Sequence, residues 1–445
     1  MYRKTDLQFL RDIFDRKTND IALLYGLRSS GLSELVSDLI KDKECLYYRV
    51  SEVSDSAQKV LFAGELHEQT KSPIVPNDDY EKLIDSFIND GNDRKRIIVF
   101  DDFQYLIKEN PTFINFLAHL MFEKCVPGSA MYLLVSDDIH WIELDMIRII
   151  GKKSSEITGV LKLNEYSPTE FYECFPDMPL SELIGIYSFI GGKSLFYNDI
   201  NAKTTLHELV IAQLNKCENI FFDPNMCLPR DIREPMLYNT LLVYLAQGHG
   251  KLNDLHLLTE VDRAKLSVYL KALIENDIVE KAGTAFYRIK DRTVNFYYRF
   301  IFPHLSSLRV MGAQRFYRKY IESAVLSFVE GTYHFFCMEH IKWLENHGRL
   351  GFKVTSVDEY HDKNNVIDFV IVAAGSNVIA CSCLYSDSPM EYLRYENVKS
   401  SVKKNKLNCE NIWLFSTGGF DDKIKALASK DPGLKIFEGK GQYLH

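Results

Sequence analysis

The sequence predicts an α/β protein of several domains, opening on a parallel sheet packed by helices. Three observations carry this. Residues 1–160 alternate short, dense apolar runs with helical segments, the pattern of strands buried on both faces. The first of those runs feeds a glycine-framed loop that opens a helix, and residues 235–302 read as three helices followed by two short strands. The chain has 445 residues, too many for one compact core.

In chain order, Ile21–Tyr25 is the first strand, Leu32–Lys41 a helix and Cys45–Val50 a strand. Tyr80–Asn89 is helical, Arg96–Phe100 a strand, Thr112–Phe122 helical and Ala130–Val135 another strand. From Ser167 to about Lys216 the pattern turns helical, broken at Gly191-Gly192. A helical linker, Leu206–Phe221, leads into the proline-punctuated stretch Asp223–Arg230. Met236–Gln247, Leu252–Thr259 and a helix capped by Asp262 and running to Glu275 precede the strands Ile278–Lys281 and Ala285–Ile289, which are split by a turn at Ala282-Gly283-Thr284. Three helices and a hairpin describe a winged helix. The rest is α/β again: a long helix, Ile321–Leu344, then strands at Val366–Ala373, Val378–Cys383 and Asn411–Ser416.

Composition sets bounds on function. The chain is 46% apolar and 26% charged with a net charge of −8, which argues against wholesale coating of nucleic acid but leaves room for one basic face. Nine cysteines lack any C-x-x-C pair, with Cys381 and Cys383 the one tight spacing; this reads as reduced thiols in a cytoplasmic protein. The start, Met1-Tyr-Arg-Lys-Thr-Asp6, has no apolar core of a signal peptide. No uncharged apolar run reaches the ~18 residues of a membrane span, so no membrane partner is expected.

The loop Gly26-Leu-Arg-Ser-Ser-Gly-Leu-Ser33 has the frame G-x-x-x-x-G-K-[ST], in which backbone N–H groups at a helix start cradle phosphates. Leu32 stands where lysine should neutralise the phosphates of ATP; Ser33, the hydroxyl for Mg²⁺, remains. Arg96-Ile-Ile-Val-Phe-Asp-Asp102 supplies the second element. In such sites the first acid, here Asp101, binds Mg²⁺ through water, and the second, Asp102, polarises the attacking water. Asp102 is one methylene shorter than the usual glutamate. ATP and Mg²⁺ are therefore expected to bind weakly if at all. Arg28 has two readings, a phosphate contact or a surface pair with a carboxylate.

These segments resemble an archaeal and bacterial AAA-type, STAND-like ATPase family that joins a P-loop domain, a winged helix and a C-terminal PD-(D/E)xK nuclease-like domain. Tyr25-Gly-Leu-Arg-Ser-Ser-Gly-Leu-Ser33 is similar to its Y-G-R-R-x-x-G-K-T, and Phe100-Asp-Asp-Phe-Gln-Tyr105 to its D-E-F-Q-Y. Gly191-Gly192 before Tyr197 resembles G-G-x-P-x-Y. Leu228–Tyr238, Phe286-Tyr-Arg-Ile-Lys-Asp291 and Phe296-Tyr-Tyr-Arg-Phe300 resemble the flanks of the family's winged helix. The resemblance implies a P-loop domain over 1–165, a helical lid over 166–230, a winged helix over 231–305 and a restriction-endonuclease-like α/β domain over 306–445. It also implies that Ser136, after the strand Ala130–Val135, senses the γ-phosphate; the alternative is a serine that merely ends a strand.

A nuclease of that class needs an acid after one strand and E-x-K on the next, so that alternate side chains face a metal together. Asp368 fills the first position, but Cys381 and Cys383 stand at the other two. One carboxylate and two thiols suit Mg²⁺ poorly. His334 occupies the place of the family's glutamate near Gly331. Asp101, Asp102 and Asp368 are thus read as vestiges, with no catalytic set expected intact.

Binding remains. Arg263, Lys265 and Lys271 are interleaved with the apolar face of the third winged-helix segment, and Lys399, Lys403, Lys404 and Lys406 recur further on. Both sets could meet the phosphates of double-stranded DNA. The alternatives are a protein partner for the winged helix and a solvated helix face for the second set. The function expected is a non-catalytic, DNA-associated adaptor or regulator; the alternative is a nucleotide-switched ATPase with slow hydrolysis.

Overall fold

The computed structural model describes residues 3–71, 79–88, 94–216, 234–282, 286–360, 366–375 and 377–439. The chain separates into two compact units, Met1–Glu165 with Lys193–Leu195, and Tyr166–Gly192 with Phe196–His445.

The first unit is built on five parallel strands, β1 (Asp20–Gly26), β2 (Cys45–Arg49), β3 (Arg96–Asp101), β4 (Ala130–Ser136) and β5 (Gly159–Leu163), in the order β2-β3-β4-β1-β5. The apolar runs are uninterrupted because both faces are covered. Alternate residues of one strand join different cores: Ile21 and Leu23 pack with Ile98 and Phe100, whereas Ala22 and Leu24 pack with Ile97 and Val99. The helices Lys4–Phe14 and Leu32–Ile40 cover the second face through Leu7, Leu10, Leu35 and Leu39. Asp55–Thr70, Tyr80–Ile88 and Phe113–His119 cover the first through Phe62, Ile84 and Phe113.

The second unit begins with the helices Pro168–Cys174, Leu180–Ile190 and Leu206–Asn215. Ser167 with Glu170, and Thr205 with Glu208, form reciprocal caps at the starts of the first and third. Residues 217–233, which include the end of the expected linker and the proline-punctuated stretch, lie outside the described residues. Helices Pro235–Ala246, Leu252–Thr259 and Arg263–Glu275 follow, and Asp262 caps the last by accepting from the Ala264 N–H. The strands β6 (Val279–Ala282) and β7 (Phe286–Ile289) pair antiparallel; of the turn expected at 282–284, Ala282 belongs to β6 and the rest lies outside the described residues.

The chain continues through Leu305–Met311 and Ala313–Tyr320 into the long helix Val325–Asn346, which starts four residues later than expected from sequence. A second sheet closes the unit: β8 (Val354–Glu359), β9 (Phe369–Ala373), β10 (Val378–Leu384), β11 (Cys409–Ser416) and β12 (Leu434–Glu438), ordered β12-β11-β10-β9-β8. Strand β9 runs antiparallel to both neighbours, while β10, β11 and β12 are parallel. Among the described residues no helix is long and apolar enough to cross a membrane.

Candidate functional site

Strand β1 delivers the chain to Gly26, whose Cβ, if it had one, would lie 2.3 Å from the Leu163 carbonyl oxygen of β5. Only glycine fits that approach. Arg28–Ser30 then form a 3₁₀ turn in which the N–H and hydroxyl of Ser30 both donate to the Leu27 carbonyl, at 2.9 and 2.5 Å. Gly31 caps the helix Leu32–Ile40 in the left-handed region, φ +93°, where side chains are disfavoured. Ser194 Oγ would come within 2.6 Å of a Cβ there, so any larger residue would also have to turn that hydroxyl aside. Arg3 donates to the Ser30 carbonyl at 2.8 Å and ties the loop to the Lys4–Phe14 helix.

The loop thus keeps the strand–turn–helix path without its lysine. Leu32 is at the helix start, but its side chain is buried with Leu7, Leu10, Leu35 and Val36. A leucine at this position joins the apolar core that lysine would leave for phosphate. Ser33 is exposed. The backbone of Arg28 lies in the turn; its side chain is outside the described set.

The acids at the end of β3 are both engaged. Asp101 accepts from the Tyr47 hydroxyl at 2.5 Å and from the Asp102 N–H at 3.0 Å. Burial pushes its carboxyl above the ordinary range despite the Tyr47 bond. Asp102 is buried and adopts φ +59°. Its two oxygens accept from Arg49 Nε at 3.1 Å and Gln104 Nε2 at 3.3 Å. Ser136, fully buried, accepts from the Asp138 N–H at 3.1 Å and so caps the turn after β4. Tyr47, Arg49 and Gln104 were missed in the sequence. The signal available was that period 2 places Tyr47 and Arg49 on one face of β2, ending beside β3.

In the second sheet Asp368 sits just before β9. Its Oδ2 accepts from the Cys383 N–H at 2.7 Å and lies 3.5 Å from Arg394 Nη2, while Arg394 Nε donates to Ser382 Oγ at 2.9 Å. Burial raises the Asp368 carboxyl even so. Cys381 and Cys383 share the face covered by the long helix, buried with Tyr333, Cys337 and Phe415. Burial holds both thiols well above the usual range. His334 Nε2 lies 3.8 Å from Glu359, and Arg288 of β7 grips the same carboxylate through both guanidinium nitrogens. Among the described residues no group of three or more His, Cys, Asp or Glu could hold a metal ion.

Residues 297–401 match a family (DUF234) described as archaeal and bacterial proteins of unknown function. An uncharacterized protein of Methanocaldococcus jannaschii is 23% identical over 316 residues, 69% of this chain and 70% of that protein. A Walker-type ATPase of Pyrococcus abyssi superposes with a TM-score of 0.50 at 14% identity, covering 67% of this chain and 96% of its own. The ORC2 protein of Aeropyrum pernix, with bound nucleotides, gives a TM-score of 0.42 at 14% identity, over 68% of this chain and 95% of its own. Over the superposed part the fold is that of a P-loop ATPase.

On this P-loop ATPase fold the expected DNA-facing cations fall into two groups. Those on the helix Arg263–Glu275 have internal partners: Arg263 donates to Asn253 Oδ1 at 2.9 Å, Lys265 pairs with Glu234 at 2.9 Å, and Lys271 with Glu275 at 3.5 Å. The two ion pairs are weak at this surface, yet they offset the charges of Lys265 and Lys271; Arg263, bonded to a neutral amide, keeps its charge. Lys399, Lys403, Lys404 and Lys406, on and after the helix Tyr392–Lys404, are exposed and make no ion pair among the described residues.

Proposed function

We propose that this P-loop ATPase-fold protein is a non-catalytic, DNA-associated adaptor, with a winged helix after its helical lid and a nuclease-like C-terminal domain that does not cut. The observation that carries the reading is Asp102. The residue that should polarise water has both oxygens engaged by Arg49 and Gln104 in a left-handed backbone. Each oxygen of that carboxylate already accepts a hydrogen bond, one of them from a guanidinium, which lowers its basicity toward an attacking water. Asp101 is hydrogen-bonded by Tyr47 and Leu32 is in the core, so Ser33 and Asp101 fit Mg–ATP poorly. At the second sheet, one carboxylate beside two buried thiols is likewise the wrong donor set for Mg²⁺.

The test is calorimetry with ATP and Mg²⁺ on the native protein. Losing a charged lysine–phosphate contact weakens binding by about 1.5–3 kcal/mol, roughly ten- to a hundredfold. Affinity tighter than low micromolar, or steady phosphate release, would overturn the reading.

The second reading, a nucleotide switch with slow turnover, draws support from the intact turn Gly26–Gly31 and the exposed Ser33. A ligand of the native state raises its melting temperature by mass action. A clear shift with ATP and Mg²⁺ selects the switch. For the winged helix, the exposed apolar side chains Leu257 and Val268 also suit a protein partner. Duplex binding that survives Lys265→Glu with Lys271→Glu assigns this helix to protein contact.

A further inference from the structure

Between Asp291 and Glu322 the chain has no acidic residue but carries Arg292, Arg299, Arg309, Arg315, Arg318 and Lys319, within a protein of net charge −8. Much of that charge is gathered on a helical hairpin. Leu305–Met311 and Ala313–Tyr320 are joined at Gly312, φ +75°. His304 stacks on Tyr320 at 4.0 Å between ring centres, and Ser307 Oγ is 3.1 Å from the Tyr320 hydroxyl, so the two helices are held in one orientation.

On the second helix Ala313, Phe316 and Tyr317 are buried, leaving Arg315, Arg318 and Lys319 at spacings of three and four on the exposed face. Arg309 is exposed beside the turn. None of these four cations forms an ion pair among the described residues, in contrast to Lys265 and Lys271. Arg318 and Lys319 complement the helix dipole, but Arg315 lies in the first turn, where a cation is disfavoured and no acid offsets it. Local helix stability does not account for it.

We propose that this hairpin face, and neither basic set expected from sequence, is the main surface through which the protein grips the phosphate backbone of double-stranded DNA. The proposal rests on the DNA association put forward above. Arginine dominates the face, and its planar fork suits phosphate oxygens. A lipid surface would require the apolar side of the second helix, which is spent: Tyr317 packs against His207 of the lid at 4.6 Å between rings. An apolar-centred protein interface is poorly served, because Val310 is the one large apolar side chain exposed over residues 305–320.

The experiment is fluorescence anisotropy on the full chain with a short duplex of arbitrary sequence, titrated across salt. Arg315→Gln/Arg318→Gln/Lys319→Gln should weaken low-salt binding at least ~tenfold and make the log–log salt slope shallower by about two to three. Lys399→Gln/Lys403→Gln and Lys265→Gln/Lys271→Gln should each change affinity less than about threefold. The three side chains face outward, so the melting curve should match the parent. If the triple variant does not fold, Arg315→Gln alone should still flatten the slope by about one. A triple variant that binds with the parent's affinity and slope overturns this surface and leaves DNA association standing. A parent that does not bind duplex at low salt overturns both. Equal binding to anionic phosphatidylserine vesicles or to polyglutamate overturns the choice of DNA.

Discussion

Asp102 of the first sheet is held by two side chains, one of them largely exposed, whereas Asp368 of the second accepts its shortest hydrogen bond from the backbone of its own sheet, with Arg394 further off at 3.5 Å. Arg49, the partner of Asp102, has a side chain 59% exposed, and one substitution removes it. Asp368 accepts from the Cys383 N–H, a group that no substitution short of proline removes. The thiols at the neighbouring positions face a core lined by Tyr333 and Phe415. The two sites therefore differ in how far each departs from the motif it resembles. Around the phosphate loop the departures are a few side chains on an intact path. Beside β10 the departure is the burial of an entire strand face.

The sharpest way to break this contrast is to restore both motifs. Cys381→Glu with Cys383→Lys places two ionisable groups on a face where the thiols are buried. Breaking that core should cost more than about 3 kcal/mol and unfold the second unit early in a denaturant titration, with no Mg²⁺-dependent plasmid nicking. A variant that keeps the parent's midpoint and nicks DNA would show that β10 tolerates the catalytic pair. Leu32→Lys should behave oppositely. It gives up a buried leucine, about 1–2 kcal/mol of stability, but gains roughly ten- to a hundredfold in ATP affinity by calorimetry. No gain would mean that the loop, not only its lysine, has lost the phosphate cradle.

A third effect lies in the ion cluster joining β7 to β8. Burial alone would raise the Glu359 carboxyl, but His334 beside it and the two hydrogen bonds from Arg288 prevail and hold it at about 2. A carboxyl whose folded value is depressed contributes stability above its unfolded value, near 4.5, and loses it as pH falls toward 2. Acid titration should remove on the order of 2 kcal/mol across that window. Glu359→Gln should be less stable at neutral pH, because Arg288 loses its carboxylate, and should lack this step. Parallel acid-denaturation curves for the two proteins would exclude the cluster as the cause.

The first sheet was legible in the sequence because its strands are buried on both faces and so read as continuous apolar runs; β1, β3 and β4 fall within a residue of expectation at each end. Strand β5, Gly159–Leu163, was missed. It is a half-exposed edge of five residues in which Lys162 interrupts a short apolar run and Val160 faces solvent. The helix Asp55–Thr70 was missed as well, since its polar residues dominate and only Phe62, Ala63, Leu66 and Gln58 are buried. At the site, the glycines and acids were readable as a motif. Tyr47 and Arg49 were not, because what binds a strand-end acid depends on sheet order, and β2 beside β3 is a tertiary fact; Gln104 is local to Asp102 and lies within the segment Phe100–Tyr105. The cations of residues 292–321 differ again. Counted along single helices they are unremarkable, while the absence of acids emerges only over the whole span.

The smallest expected effect bears on why residue 102 is aspartate at all. With φ at +59° the position is left-handed, a region that Asn and Asp enter more readily than longer side chains. Asp102→Asn keeps that tolerance and an acceptor for Gln104, and gives up an ion pair with a largely exposed arginine, so stability should change by less than about 1 kcal/mol. Asp102→Glu restores the usual acid but puts a disfavoured residue in that backbone, at a further cost of about 1 kcal/mol. The order of melting temperatures should be parent and Asn close together, Glu lowest. If the Glu variant melts with the parent, residue 102 has left the left-handed region. Its carboxylate is then no longer tied to Arg49 and Gln104, and the contrast with Asp368 widens, because one added methylene would be enough to free the nucleotide-side acid.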